Sequence, residues 1–146
     1  MTKIRYENAK KAIKNNSQKD LKKCIDLGFN VNTQSPWGFT LLHEACLNNN
    51  HEMVKLLLSY GANANAKTFY GEETPLVISI RNDCVENVRI LLENFYNNNP
   101  EICLDIDSNL LSEANLGIIK TILEKYKFNL SDTMVVDCCS SKRERL

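Results

Sequence analysis

The sequence predicts an all-α protein in which pairs of short helices repeat every 33–34 residues and stack on one another. The first observation is internal self-similarity at a fixed period, which is the signature of a repeat architecture. The second is a 3.6-residue apolar periodicity inside each unit, which is typical of helices with one buried face. The third is size, because 146 residues with 43% hydrophobic residues suit one domain with its own core.

The central unit shows the pattern most fully. It begins with Thr40-Leu-Leu-His-Glu-Ala-Cys46, continues to Met53-Val-Lys-Leu-Leu-Leu58 and ends with Gly61-Ala-Asn-Ala-Asn-Ala66. Threonine is a favoured residue at a helix N-cap, and glycine suits the left-handed position that ends a helix. The unit therefore reads as two short helices, capped by Thr40 and ended by Gly61.

The flanking units repeat this pattern in register. Thr74-Pro-Leu-Val-Ile-Ser-Ile80 lies 34 residues after the central start, and Asn87-Val-Arg-Ile-Leu-Leu92 repeats the second helix. Thr74 is predicted to cap its helix, and Pro75 suits the first helical turn. A shift of 33 residues toward the N-terminus places Gly28 at the position of the central unit's glycine. The first three units are predicted to cover approximately residues 6–37, 38–70 and 71–104.

A fourth unit, over residues 105–133, is worn. Ile118-Ile-Lys-Thr-Ile-Leu123 repeats the second-helix pattern, but the unit lacks the threonine start and the closing glycine. Terminal repeats are atypical because one of their faces meets water. We expect one domain over residues 1–133 and a flexible tail over 134–146. Cys138-Cys139 and the basic residues that follow could instead be a lipidated or a receptor-recognised segment.

These units resemble the ankyrin repeat, which combines a turn glycine, Thr-Pro-Leu-His, a Val-Val-x-Leu-Leu-Leu helix and Gly-Ala-Asp-Val-Asn-Ala. Gly38-Phe-Thr-Leu-Leu-His-Glu-Ala45 departs from this pattern only at Leu41, where proline is usual. The resemblance is strong over residues 38–92, fair over 7–32 and weak after 100. It implies a solenoid of about four helix-turn-helix units with β-hairpin-like loops.

Two departures from the repeat predict local changes. One extra residue precedes Thr74, which predicts a longer loop tip over Phe69 to Glu73. No glycine follows Leu92, and Asn94-Phe-Tyr-Asn-Asn-Asn-Pro100 stands there instead. We therefore expect a rebuilt loop after the third unit.

The resemblance implies a structural role for the histidine of the central unit. In ankyrin repeats this imidazole ties neighbouring loops together by hydrogen bonds, whereas His51 lies in a polar turn where solvation explains it. With two histidines and no convergent carboxylates or phosphate loop, no catalytic dyad can be assembled, so we expect no enzyme activity. The structural residues are predicted to be His43, Gly28, Gly61, Thr40, Thr74 and Pro75.

Cysteines and the N-terminus bear on cofactors and location. The close pair among the six cysteines, Cys138-Cys139, is poorly spaced for a shared zinc ion, and we expect no metal and no cofactor. Residues 1–16 are polar and lack the apolar segment of a signal peptide. We therefore expect reduced cysteines and an intracellular protein, cytoplasmic and/or nuclear.

Charge and hydropathy limit the classes of partner. The chain has 18 basic and 18 acidic residues, whereas nucleic-acid binders usually have a basic excess. No apolar run approaches the ~18 residues of a membrane span. We therefore expect another protein as partner, with no nucleic acid and no membrane, and a monomer rather than a homo-oligomer.

Large aromatic side chains stand near the predicted loop tips. In a repeat stack these tips project in a row beside the first helices and form a concave surface. Tryptophan, tyrosine and arginine are enriched among the residues that dominate interface energies. Alternatively, Trp37 and Phe39 only fill gaps between adjacent tips. The predicted partner-binding residues are Trp37, Phe39, Leu47, Asn48, Phe69, Tyr70, Glu73 and Arg81.

The expected function is that of a protein-binding module. It would act as an adaptor, an inhibitor or a substrate receptor by offering a rigid concave face. Other hypotheses are an inhibitor of a signalling protein such as a kinase or an NF-κB-like factor, for example as a viral host-interaction protein, and a self-associating structural protein that uses residues 94–104 and the worn fourth unit.

Overall fold

The computed structural model describes residues 2–98, which form six α-helices and no strand. The helices pair into three hairpins: α1 packs on α2, α3 on α4 and α5 on α6. Helix α3 also packs on α1 and α5, and α4 packs on α6, so the hairpins stack side by side. The predicted all-α stack is confirmed for this part of the chain. The helices are α1 (Thr2–Lys14), α2 (Gln18–Asp26), α3 (Leu41–Leu47), α4 (His51–Ser59), α5 (Pro75–Arg81) and α6 (Val85–Asn98).

The predicted fourth unit and tail, including Cys138 and Cys139, lie outside the described residues.

The starts of α3 and α5 follow the predicted capping chemistry. The Thr40 hydroxyl accepts a hydrogen bond from the His43 amide, and the Thr74 hydroxyl accepts one from the Val77 amide. Pro75 occupies the first turn of α5, where a missing amide hydrogen costs nothing. These contacts satisfy amides that the helix itself leaves unpaired.

The turns inside the hairpins share one backbone geometry. Asn16, Asn49 and Asp83 adopt left-handed φ values of 52°, 49° and 55°. Asparagine and aspartate tolerate this region better than other non-glycine residues. Gly28 and Gly61 follow α2 and α4 with φ values of 87° and 82°, as predicted for glycines that end a helix.

The core is a continuous apolar layer between neighbouring hairpins. Leu42, Leu57 and Leu91 are fully buried and lie on α3, α4 and α6. Each such side chain contributes roughly 1.5–3 kcal/mol relative to an exposed position. Because each hairpin buries its apolar face against its neighbours, the stack holds the intervening loops in fixed relative positions.

The end of the third hairpin differs from the sequence prediction. The expected rebuilt loop over 94–100 is wrong for residues 94–98, because α6 continues to Asn98. Phe95 stands where the central hairpin has Gly61, and its side chain is 5% exposed and packs into the core. With no glycine to admit a left-handed residue, the helix extends and buries an aromatic ring instead.

Among residues 2–98, none of the helices combines the length and the apolar character needed to span a bilayer.

Candidate functional site

Two loop tips project between the hairpins. The first tip (residues 33–40) closes when the Ser35 amide donates to the Phe39 carbonyl at 2.8 Å. The Ser35 hydroxyl also accepts the amide hydrogen bond of Phe39 at 3.1 Å. Turn contacts of this kind, rather than strands, close the predicted hairpin-like loop.

The second tip (residues 67–74) is one residue longer. Its closing hydrogen bond runs from the Thr68 amide to the Glu73 carbonyl at 3.0 Å, so five positions separate the partners instead of four. Gly71 and Glu72 both adopt left-handed φ values, 83° and 50°, and accommodate the extra residue. The predicted lengthening of this tip is confirmed.

The two tips are joined to each other. The Phe69 amide donates to the Trp37 carbonyl at 3.1 Å, and the Gln34 side-chain amide donates to the Lys67 carbonyl at 3.1 Å. Close approach depends on Gly38, since a Cβ atom there would lie 2.4 Å from the Phe69 nitrogen. The tips therefore form one connected surface.

His43 fixes the base of this surface. Its Nδ1 accepts the Thr40 amide at 3.1 Å, which places the proton on Nε2, and Nε2 donates to the Glu73 carbonyl at 3.0 Å. The ring is fully buried, and burial lowers its pKa to about 4. His43 therefore lies between Thr40 of the first tip and Glu73 of the second tip and makes a hydrogen bond to each.

Apolar side chains cluster on the outside of the tips. Trp37 is 63% exposed and Tyr70 is 73% exposed, and their ring centroids lie 5.9 Å apart on adjacent tips. Phe69 on the second tip and Leu47 at the end of α3 are also exposed. These four residues are called the tip cluster below: Trp37, Leu47, Phe69 and Tyr70.

A groove of about 830 Å³ lies beside the tip cluster. One wall is α1, the other is the first tip with Phe69, and α3 contributes to the lining. Its volume falls within the ~300–1,000 Å³ of typical ligand clefts. The described residues that line it are Tyr6, Glu7, Lys10, Thr33, Gln34, Ser35, Pro36, Trp37, Phe39, Glu44, Leu47 and Phe69.

The groove contains two polar links that sequence reasoning missed. Lys10 Nζ lies 2.7 Å from the Glu44 carboxylate, whose side chain is only 8% exposed. The Tyr6 hydroxyl donates to the Phe39 carbonyl at 3.0 Å, and burial raises the pKa of this phenol above its usual range. Lys10 lies 33 residues before His43 and is its equivalent in the first unit. Because His43 reaches the loop that follows its own hairpin, the repeat register indicates that the Lys10 side chain also faces the next hairpin.

Four predicted partner-binding residues have internal contacts. Phe39 is half-buried and its ring meets the His43 ring at 5.6 Å, as the gap-filling interpretation expects. The Glu73 carboxylate pairs with the Arg81 guanidinium. The Asn48 side chain is exposed but donates to the Glu44 carbonyl of its own helix. The tip cluster, rather than all eight residues, has the large exposed apolar area.

The part of the chain that the structure describes has no cluster of side chains that could bind a metal ion. Among residues 2–98, no three histidine, cysteine, aspartate or glutamate side chains are grouped so that they could hold an ion. The cysteines of this part, Cys24, Cys46 and Cys84, are free. Burial raises the pKa of the Cys46 thiol to about 12, which leaves it in the protonated form that is a poor nucleophile.

Comparison with known proteins agrees with the repeat architecture. The chain is 38% identical over 72 residues to glycerophosphocholine phosphodiesterase gde1 of Schizosaccharomyces pombe, a match that covers 49% of this chain and 6% of that enzyme. A family model for ankyrin repeats, in three copies, matches residues 10–102. The chain therefore belongs to the ankyrin-repeat family, whose repeats are generally protein-interaction modules.

Proposed function

We propose that this ankyrin stack binds a protein partner through the tip cluster and the adjoining groove, and so acts as an adaptor, an inhibitor or a substrate receptor. The observation that carries the proposal is the exposed ring pair of Trp37 and Tyr70, at 63% and 73% exposure on two adjacent tips. Exposed aromatic clusters mark interaction sites, because burying them against a partner removes a large apolar area from water.

Rigidity supports the same proposal. The amide of Phe69 is bonded to the carbonyl of Trp37, and His43 holds the base of the second tip through Glu73. A surface that is already ordered loses little conformational entropy when a partner binds. The tip cluster therefore offers anchors in fixed positions, with Leu47 and Phe69 extending the apolar area on either side.

A double variant tests the assignment. Trp37→Ala with Tyr70→Ala should abolish partner capture and leave helical circular dichroism and the melting temperature nearly unchanged, because both side chains are largely outside the core. The measurement is affinity purification from native cells followed by mass spectrometry. A matched control is Leu27→Ala with Tyr60→Ala, which removes exposed apolar side chains from the ends of α2 and α4.

The control should recover the same proteins as the unmodified chain, and the tip variant should lose them. Recovery of the same proteins by all three forms would remove the tip cluster from the binding surface.

A further inference from the structure

The groove beside the tip cluster has an uneven supply of hydrogen-bonding groups. Three of its strong donors are already engaged inside the protein. The Lys10 ammonium pairs with Glu44, the Tyr6 hydroxyl donates to the Phe39 carbonyl, and the Gln34 side-chain amide donates to two tip carbonyls. These donors are therefore not available to a ligand without breaking an internal contact.

The acceptors of the groove are less fully used. Glu7 is exposed on α1 and makes no ion pair with any of the side chains that the structure describes. Among the side chains that the structure describes, the charged residues that line the groove are Glu7, Glu44 and Lys10, so one lysine opposes two carboxylates and these three sum to −1. A ligand that donates hydrogen bonds and carries positive charge would complement this lining.

Aromatic rings complete the lining. Trp37 and Phe69 face the same groove as the carboxylates. A cation gains electrostatic attraction from the face of an aromatic ring, and tryptophan is the best such partner. Arginine fits both features, because its planar guanidinium has five donors and stacks on aromatic faces.

We propose that the groove binds a cationic side chain, arginine above all, from a segment of the protein partner. The guanidinium contacts the Glu7 carboxylate while its planar face lies on the aromatic lining of the first tip. This inference rests on the proposed function, since it names the chemistry of the partner at the same surface. It assigns Glu7 a role in specificity that the exposed aromatics alone do not provide.

Trp37 makes the proposal directly measurable. It is the single tryptophan of the chain, so intrinsic tryptophan fluorescence of the full chain reports on the groove. Three acetylated and amidated peptides serve as probes: Ala-Arg-Leu-Arg-Ala, the same peptide with citrulline for arginine, and the same peptide with glutamate for arginine. Citrulline keeps the shape of arginine but lacks its charge.

The arginine peptide should change the Trp37 fluorescence saturably. The citrulline peptide should bind about fourfold to twenty-fivefold more weakly, since it loses both an exposed charge pair and a cation–π contact, and each of these contributes about twofold to fivefold. The glutamate peptide should bind most weakly. Equal binding of the arginine and citrulline peptides, stronger binding of the glutamate peptide, or no response to the arginine peptide would overturn the proposal.

A substitution at Glu7 tests whether its carboxylate provides the charge that the arginine peptide contacts. Glu7→Gln should weaken binding of the arginine peptide about twofold to fivefold, whereas Glu52→Gln, an exposed glutamate on α4 that does not line the groove, should leave it unchanged. Unchanged circular dichroism shows that both variants fold. Equal affinities in the two variants would refute the role of Glu7. If partner capture still depends on Trp37 and Tyr70, that result leaves the proposed function standing.

Discussion

The second and third hairpins follow one pattern but differ at positions that hold the stack together. Met53 on α4 is fully buried, and Asn87, the equivalent residue on α6, is also fully buried. Neither polar atom of the Asn87 side chain has a hydrogen-bond partner among the described residues. His43 links the second hairpin to the second tip, whereas the third hairpin has Val77 at that position.

The turns between the paired helices also have a stronger polar link in the second hairpin than in the third. The Asn50 side chain caps α4 and donates to the Ile13 carbonyl of the preceding hairpin at 3.4 Å. Cys84 takes the equivalent position before α6, and its thiol reaches the Cys46 carbonyl at 3.9 Å. A thiol is a weaker donor than an amide. The second hairpin therefore concentrates the polar links to its neighbours, whereas the third has weaker or apolar groups at the same positions.

The largest predicted effect comes from giving the second hairpin the polar residue of the third. Met53→Asn should lower the free energy of unfolding by about 3–4 kcal/mol, because it removes a buried apolar side chain and buries an unpaired amide. Urea unfolding followed by circular dichroism measures the change. The control Lys55→Asn, at an exposed position of the same helix, should cost less than about 1 kcal/mol. A loss below about 1 kcal/mol for Met53→Asn would show that the second hairpin tolerates a buried amide as well as the third does.

The next effect tests the histidine link. His43→Ala should lower the free energy of unfolding by about 2–3 kcal/mol at pH 7, because it removes the bonds to Thr40 and Glu73 in a buried site. Burial lowers the pKa of His43 to about 4, whereas an unfolded histidine titrates near its ordinary value of 6.5. Between these two values the unfolded chain takes up a proton that the folded chain does not, so the stabilising effect of His43 falls as the pH drops.

The unmodified protein and the His43→Ala variant should therefore differ less in free energy of unfolding at pH 4.5 than at pH 7, as measured by urea unfolding. His51→Ala, at an exposed helix start, should have a small effect at pH 7. An equal difference in free energy of unfolding at both pH values would show that His43 is not held neutral in the folded protein.

The smallest predicted effect comes from giving the third hairpin the apolar residue of the second. Asn87→Met should raise the free energy of unfolding by about 1–2 kcal/mol. The two buried polar atoms of Asn87 have no hydrogen-bond partner among the described residues, and the equivalent position of α4 already holds an apolar methionine. Arg89→Met, at an exposed position of α6, serves as the control and should change stability by less than about 0.5 kcal/mol. A destabilised Asn87→Met protein would mean that the amide has a role of its own.

Much of the fold could be predicted from the sequence because its determinants are local. Thr40 and Thr74 cap helices through bonds to amides three residues away, and Gly28 and Gly61 end helices through their own backbone freedom. The resemblance to the ankyrin repeat implied that His43 bonds to a neighbouring loop, and its imidazole does lie against the Glu73 carbonyl.

The features that could not be predicted depend on residues that depart from the repeat pattern and on how those residues pack. The missing glycine after Leu92 indicated a departure, but only packing decides that Phe95 is buried and that α6 continues. The pair of Lys10 with Glu44 joins non-equivalent positions of neighbouring hairpins, so no single repeat encodes it. Phe39 and Trp37 are two residues apart on one tip, yet the first is half-buried and the second exposed, because the turn geometry aims one ring at His43.

Site-specific photocrosslinking in native cells shows directly whether the tip cluster contacts a partner protein. Benzoylphenylalanine replaces Trp37 in the tip cluster in one protein and Tyr60, at the end of α4, in another. If the tips bind the partner, light should produce a covalent adduct with a second protein from position 37 and none from position 60. An adduct from position 60 with none from position 37 would show that the partner binds the end of α4 and not the tip cluster.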